Sequence, residues 1–292
     1  MIDFHAHTSN RMLYGLHTTD ASIVQLELLA KRHGIETIVL MATYFPFKKS
    51  GLPNKQLLDR VKGKDLFTVF GSLDASGDLS AGLDELASLI STGQIAGIKL
   101  YPGYQNFDLG DTKMFPVYEL AQSYRLPVAI HGGELHHCCP VESRNTGNRK
   151  CGSQFCWIDR LQDLSHPNQL RPAALAFPQV SFVFCHLGNP YFEETRKLMA
   201  ECANVYTDIS GQFVSGTTED SPEYRELITR EIKLFLNLSN GSQHVIFASD
   251  FPIQSYPDSI SLVESLGLTS AEIERLCQTN AQQLLNQRRR SS

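Results

Sequence analysis

Side chains able to bind a metal ion or move a proton stand at the ends of short apolar runs along this chain. The first such stretch, "IDFHAHTSN" (2–10), sets His5 and His7 at alternate positions ahead of turn-forming residues. In an extended strand, positions i and i+2 face the same side, so the two imidazoles would project together and suit a divalent ion. A strand with histidines at its solvated edge is the plainer alternative. Asp3 continues the alternation from deeper in the strand. On that spacing it shares the face of His5 and His7, either accepting an imidazole N–H or serving a structural purpose. Further along, "PVAIH" ends in His131, "VSFVFCH" in His186 and "HVIFASD" in Asp250, while "IAGIKLY" carries Lys99. A lone histidine at a strand end is more often a hydrogen-bonded residue than a ligand. Imidazoles and a carboxylate at the same end of four strands form a donor set for Zn²⁺ or a similar ion. A metal with an open position can lower the pKa of a bound water to about 7. Asp250 could take the proton and return it to a leaving group, and His186 could polarise a carbonyl or stabilise an oxyanion.

The elements that would position these residues follow from hydropathy. Eight short, β-rich runs span 2–5, 35–42, 66–73, 95–101, 127–131, 180–186, 204–210 and 244–250. Between them lie helix-like stretches at 20–34, 83–90, 115–125, 189–202, 221–238 and 269–286. Asp20 is a candidate N-cap and Gly34 a C-terminal stop for the first. Thr269 and Glu272 stand at capping-box spacing at the start of the last. Near-continuous apolar strands alternating with helices indicate a parallel sheet buried on both faces. Eight is the number that closes a (β/α)₈ TIM barrel, whose catalytic groups lie at the C-terminal strand ends. No linker, repeat or low-complexity segment divides the chain, so residues 1–292 are expected to form one domain. The alternation at the sixth strand turns Cys185 away from His186, toward the helices, as a core residue.

The blocks "IDFHAH", "GIKLYPGY", "PVAIHGGE", "FVFCHLGNP", "NVYTDISG", "IFASDFP" and "TNAQQLL", spanning 2 to about 286, resemble the ordered motifs of the amidohydrolase superfamily. They are most similar to the amidohydrolase-2 branch of metal-dependent TIM-barrel hydrolases and decarboxylases. The resemblance implies metal ligation by His5, His7, His131 and Asp250, with His186 as a further ligand or a catalytic group beside Asp250. It implies one divalent ion per chain, Zn before Mn or Fe, and a homodimer as a common assembly. Some superfamily members carry a carboxylated lysine at strand four that bridges two metals. Lys99 could take that part, and the alternation of Gly97, Lys99 and Tyr101 aims it at the barrel mouth. The simpler expectation is an ammonium that binds a substrate carboxylate or pairs with an acid, which leaves one metal.

Between the fifth strand and its helix runs "GGELHHCCPVESRNTGNRKCGSQFCW" (132–157). As a long loop it could select an anionic substrate through Glu134, Arg144, Arg149 and Lys150. As an auxiliary metal site it would use Cys138, Cys139, Cys151 and Cys156, although adjacent cysteines followed by C-x₄-C differ from the usual knuckle spacing. Tyr44, Phe45, Tyr101, Tyr104 and Phe213 are candidates for an apolar pocket wall. The composition is 42% hydrophobic and 20% charged with a formal net charge of −5, which gives no general attraction to nucleic acid or anionic membrane. The terminal "RRRSS" reads as a solvated tail. No apolar run reaches the roughly 20 residues of a membrane span. Seven cysteines without a signal segment suggest reduced thiols in the cytoplasm. The reading that results is a hydrolase of a lactone, ester or amide. A non-oxidative decarboxylase of a small aromatic or unsaturated carboxylic acid is the alternative. A PHP- or TatD-type phosphoesterase would need ligands that cannot be placed, and a non-catalytic binding module would have little use for Asp250.

Overall fold

The computed structural model describes residues 1–9, 20–44, 52–136, 160–214 and 221–287. Eight parallel strands pair in chain order. They are β1 (Ile2–Ala6), β2 (Thr37–Met41), β3 (Phe67–Gly71), β4 (Gly97–Leu100), β5 (Val128–Ile130), β6 (Phe182–Phe184), β7 (Val205–Asp208) and β8 (Val245–Ile246). The segment after β8 closes the ring. Phe4 N–H donates to Phe247 O at 3.2 Å, Asp250 N–H to His5 O at 2.7 Å and His7 N–H to Phe251 O at 2.7 Å. The molecule is a TIM barrel.

The α-helices among the described residues are α1 (Ile23–His33), α2 (Asn54–Val61), α3 (Ser80–Ser91), α4 (Phe115–Tyr124), α5 (Arg171–Ala176), α6 (Phe192–Glu201), α7 (Pro222–Leu236), α8 (Gly241–His244), α9 (Tyr256–Ser265), α10 (Ser270–Glu274) and α11 (Asn280–Asn286). Their caps show how local sequence sets the ends. Gly34 ends α1 in the left-handed region at φ 67°, as expected of a C-terminal glycine. The N-cap of α1 is Ser22, whose hydroxyl accepts from Gln25 N–H. Asp20, expected in that place, instead accepts from Ser22 N–H at 2.9 Å. The capping box of Thr269 and Glu272 forms at the start of α10.

Two apolar layers follow from strand alternation. Ile98, Leu100, Val128, Ile130, Phe182 and Phe184 pack outward against the helices. Phe4, Val39, Met41, Phe70, Ala129, Val183, Cys185 and Ile246 fill the barrel interior. Gly97 is required by this filling, because a Cβ there would stand 2.5 Å from the Phe70 ring. The interior is therefore packed below the strand ends and can only be open above them. Among the described residues, no helix is long and apolar enough to cross a membrane.

Candidate metal centre

The centre forms at the seam between β1 and the segment after β8. Along β1 the strand changes phase. Ile2 and Phe4 belong to the interior cluster, Ala6 to the outer one, and the register against β2 shifts between Asp3 and Ala6. Consecutive Phe4 and His5 therefore both address the interior, and His7 follows His5. The same phase change corrects the expectation for Asp3, which lies on the other face. Its Oδ2 accepts from Ser249 Oγ at 2.6 Å and from the Tyr256 hydroxyl at 2.8 Å. Its Oδ1 accepts from Ser249 N–H at 2.9 Å and His5 N–H at 3.3 Å. Asp3 thus ties β1 to the end of β8 and gives the imidazoles nothing. Burial outweighs these hydrogen bonds and raises its carboxyl to about 6.

Across the seam, Asp250 adopts φ 56°, a left-handed conformation that costs a side-chain-bearing residue roughly 1–2 kcal/mol. Its Oδ1 lies 3.2 Å from His7 Nε2 and 3.6 Å from His5 Nε2. Donor atoms of His5, His7 and Asp250 all fall within 4.8 Å of one another, with His7 alone partly exposed. Burial opposes ionisation of Asp250, but the His7 hydrogen bond and the neighbouring ring charges hold its carboxyl well below the usual range. Burial first, and then the charge of Lys99, lowers His5 to about 3.

A carboxylate absent from the sequence-based site, Asp208 at the end of β7, orients this group. Its Oδ2 faces His5 Nδ1 at 3.2 Å, so Nδ1 carries the proton and Nε2 keeps its lone pair for the centre. Its Oδ1 accepts from His186 N–H at 2.8 Å, Ser210 N–H at 3.1 Å and Ser210 Oγ at 2.5 Å. Burial opposes the charge here too, and the bonds from His5 and Ser210 hold the carboxyl well below its ordinary range. Asp208 and Ser210 alternate in "NVYTDISG" as His5 and His7 do in "IDFHAH", and that spacing was the available signal.

His186 and Leu187 have φ of 62° and 56°. Gln212 helps to hold this turn, donating from Nε2 to His186 O at 3.0 Å. Leaving the strand conformation at His186 also corrects the reading of Cys185. The side chain of Cys185 does not turn to the helices but sits in the barrel interior, 3.2 Å from Lys99 Nζ. The His186 ring lies 5.0 Å from that of His5. Its Nδ1 faces the Ser210 carbonyl at 3.2 Å and Ser210 Oγ at 2.8 Å, which places a proton on Nδ1. Burial lowers its pKa.

His131 stands beside His186, with ring centroids 5.0 Å apart, and against Tyr104 at 4.8 Å. Its Nε2 faces the Glu134 carbonyl at 3.2 Å, and it does not join the three converging donors. The Glu134 side chain is exposed. The Tyr101 hydroxyl donates to Ala42 O at 2.9 Å. Lys99 is fully buried rather than aimed at the mouth, with its Nζ 3.3 Å from His5 Nε2. Phe45, Arg144, Arg149, Lys150, Cys138, Cys139, Cys151 and Cys156 lie outside the described residues, as does the body of the long loop after β5.

Two imidazoles and a carboxylate, held close and bordered by the partly exposed His7, fit a divalent ion in donor type and number. A family model, Amidohydro_2, described as amidohydrolase, matches residues 2–287. No curated protein matches the sequence. Among solved structures, an uncharacterized TIM-barrel protein from Bordetella bronchiseptica shares 15% identity at a TM-score of 0.71, over 99% of this chain and 99% of that one. The "probable 2-pyrone-4,6-dicarboxylic acid hydrolase" of Acinetobacter baumannii, with citric acid bound, shares 15% identity at a TM-score of 0.66, over 98% of each chain. A dihydroxybenzoic acid decarboxylase from Polaromonas sp. JS666, with manganese and the inhibitor 2-nitroresorcinol bound, gives 15% and 0.66, over 98% of this chain and 96% of that one.

Proposed function

The chain belongs to the Amidohydro_2 family of amidohydrolases, and from that premise we propose that it is a metal-dependent hydrolase of a C–O or C–N bond in a small lactone, ester or amide. The observation that carries this reading is the convergence of His5, His7 and Asp250 within 4.8 Å. We assign the ion to these three, with His131 as a further ligand through Nδ1, the lone pair left free when Nε2–H donates to the Glu134 carbonyl. A divalent ion there, Zn²⁺ first and Mn²⁺ or Fe²⁺ as alternatives, would supply Lewis acidity toward water and a carbonyl.

The chain's own groups handle the proton. Asp250, ionised despite burial, is the acceptor for the proton of the attacking water. His186, neutral and protonated at Nδ1, offers Nε2 as an acceptor. We therefore give it a proton-carrying part rather than the oxyanion-donating one that its position in the sequence suggests. Asp208 and Ser210 keep the rings of His5 and His186 in the tautomers this needs. A small-molecule substrate, a cytoplasmic setting and a homodimer belong to the same proposal.

The test is a panel of lactones, esters, amides and hydroxybenzoates turned over in H₂¹⁸O. A hydrolase leaves one ¹⁸O in the product. Release of CO₂ with an organic product that carries no ¹⁸O would establish the second reading, decarboxylation, which the fold likeness to the manganese-holding decarboxylase supports. Asp250→Asn should lower kcat by about 10²–10⁴-fold. Turnover that survives the substitution overturns the role given to Asp250, and no turnover with a bound ion favours the binding module.

A further inference from the structure

Beneath the first group of donors the barrel holds a second, and the two share His5. Ligand atoms of His5, Cys185 and Asp208 lie within 4.8 Å of one another, all in buried residues. The chemistry proposed above uses neither Cys185 nor Lys99. Lys99, on β4, is fully buried, and its Nζ lies 3.3 Å from His5 Nε2 and 3.2 Å from Cys185 Sγ. The ammonium thus touches two of the three inner residues. An imidazole lone pair, a thiol sulfur and a nearby carboxylate are the surroundings a cation seeks, and an ammonium satisfies them with three N–H donors. A tethered amine also has no translational freedom to lose when it fills such a place.

We propose that the Lys99 ammonium is the resident cation of the inner donor set His5–Cys185–Asp208, and that it limits the centre to one divalent ion, held by the outer set. The inference rests on the reading of His5, His7 and Asp250 as a metal site. A second ion entering beside Cys185 and Asp208 would have to displace Nζ from its 3.2 Å contact with Cys185 Sγ, whereas the outer ion has His7 Nε2 and Asp250 Oδ1 as partners that Lys99 does not occupy. The first ion, arriving at His5 Nε2, leaves Lys99 bonded to Cys185, so the thiol stays an acceptor for Nζ and does not become a ligand. Lys99 is then a selectivity element for ion number, neither a substrate contact nor a bridging ligand.

The experiment is a Co²⁺ titration of the metal-stripped full chain, by equilibrium dialysis and absorbance, with each protein compared with its own Cys185→Ser counterpart. That comparison removes any contribution from the other cysteines. Wild type and Cys185→Ser should bind the same number of ions, with no thiolate-to-cobalt charge-transfer band distinguishing them. Lys99→Met should bind one further equivalent and show such a band, and both should vanish in Lys99→Met/Cys185→Ser. A Cys185-dependent band already present in wild type overturns the proposal, as does Lys99→Met without the extra equivalent. If Lys99→Met does not fold by circular dichroism, Lys99→Arg, which keeps the charge, must retain the wild-type stoichiometry, and the wild-type comparison still decides. No Co²⁺ uptake at all by wild type fails differently, because it removes the outer metal site on which the inference rests.

Discussion

Asp3→Asn should stabilise the protein above pH 6 and change little near pH 4. The fold raises the Asp3 carboxyl from 3.8 to about 6, with burial as the largest cause. The folded state therefore favours the protonated acid. Its stabilising contribution is complete below the unfolded pKa and is lost as pH rises to about 6, after which the deficit stays constant. A shift of about 2 units at 1.36 kcal/mol each amounts to about 3 kcal/mol. Asparagine cannot ionise and keeps an oxygen for Ser249 N–H. Its amide can donate to Ser249 Oγ and Tyr256 OH, whose protons must then find other partners, at a cost of about 1 kcal/mol. The expected net gain is about 2 kcal/mol at pH 7 to 8. Urea unfolding of both proteins with a chelator present, at steps from pH 4 to 8, measures it. The buried histidines act in the opposite direction. His5, lowered to about 3, contributes stability above pH 6.5 that is lost on acidification. That loss is common to both proteins and cancels in the difference. A difference independent of pH, or one that turns against asparagine as pH rises, would show that the four hydrogen bonds outweigh burial and that Asp3 is ionised at no cost.

Asp208→Asn should weaken metal affinity by about 10–100-fold, read by equilibrium dialysis, because the His5 Nδ1–H loses its charged acceptor. Unchanged affinity would reduce Asp208 to a packing residue. Gly133→Ala should destabilise the barrel by about 2–5 kcal/mol in urea unfolding. The residue sits at φ 84° with a Cβ position 2.1 Å from Asn189 O, and an effect below 1 kcal/mol would mean that the turn after β5 yields easily.

Strand count, order and the residues at the strand ends could be read from hydropathy and spacing, because each strand is apolar on both faces and ends in a polar side chain. What could not be read was phase. Alternation places Asp3 with His5 and separates Cys185 from His186. The structure reverses both, through a register shift in β1 and a left-handed residue at His186. Neither leaves a mark such as glycine in the sequence. The placement of Lys99 was legible as to face and not as to depth, since depth depends on how far the neighbouring strands fill the interior. Asp208 does not stand out in the sequence, because a single acid in "NVYTDISG" looks like an ordinary strand end until the ring of His5 is placed against it. His131 is expected as a ligand by its block, and the backbone of the following turn, through the Glu134 carbonyl at Nε2, decides which ring nitrogen is left to serve an ion, a detail the sequence does not carry.

Asp250 stands 245 and 243 residues from His5 in β1 and His7 just after it. During synthesis, a chain that has released β1 through β7 displays His5 and His7 without their carboxylate. Affinity for an ion would therefore arrive late and abruptly, when residue 250 leaves the ribosome and the first and last strands meet. From then on an ion held in common would act as a removable staple between the two ends of the chain, restricting the excursions in which they part. If the proposed centre holds its ion as assigned, chelation should loosen this seam before the rest of the barrel.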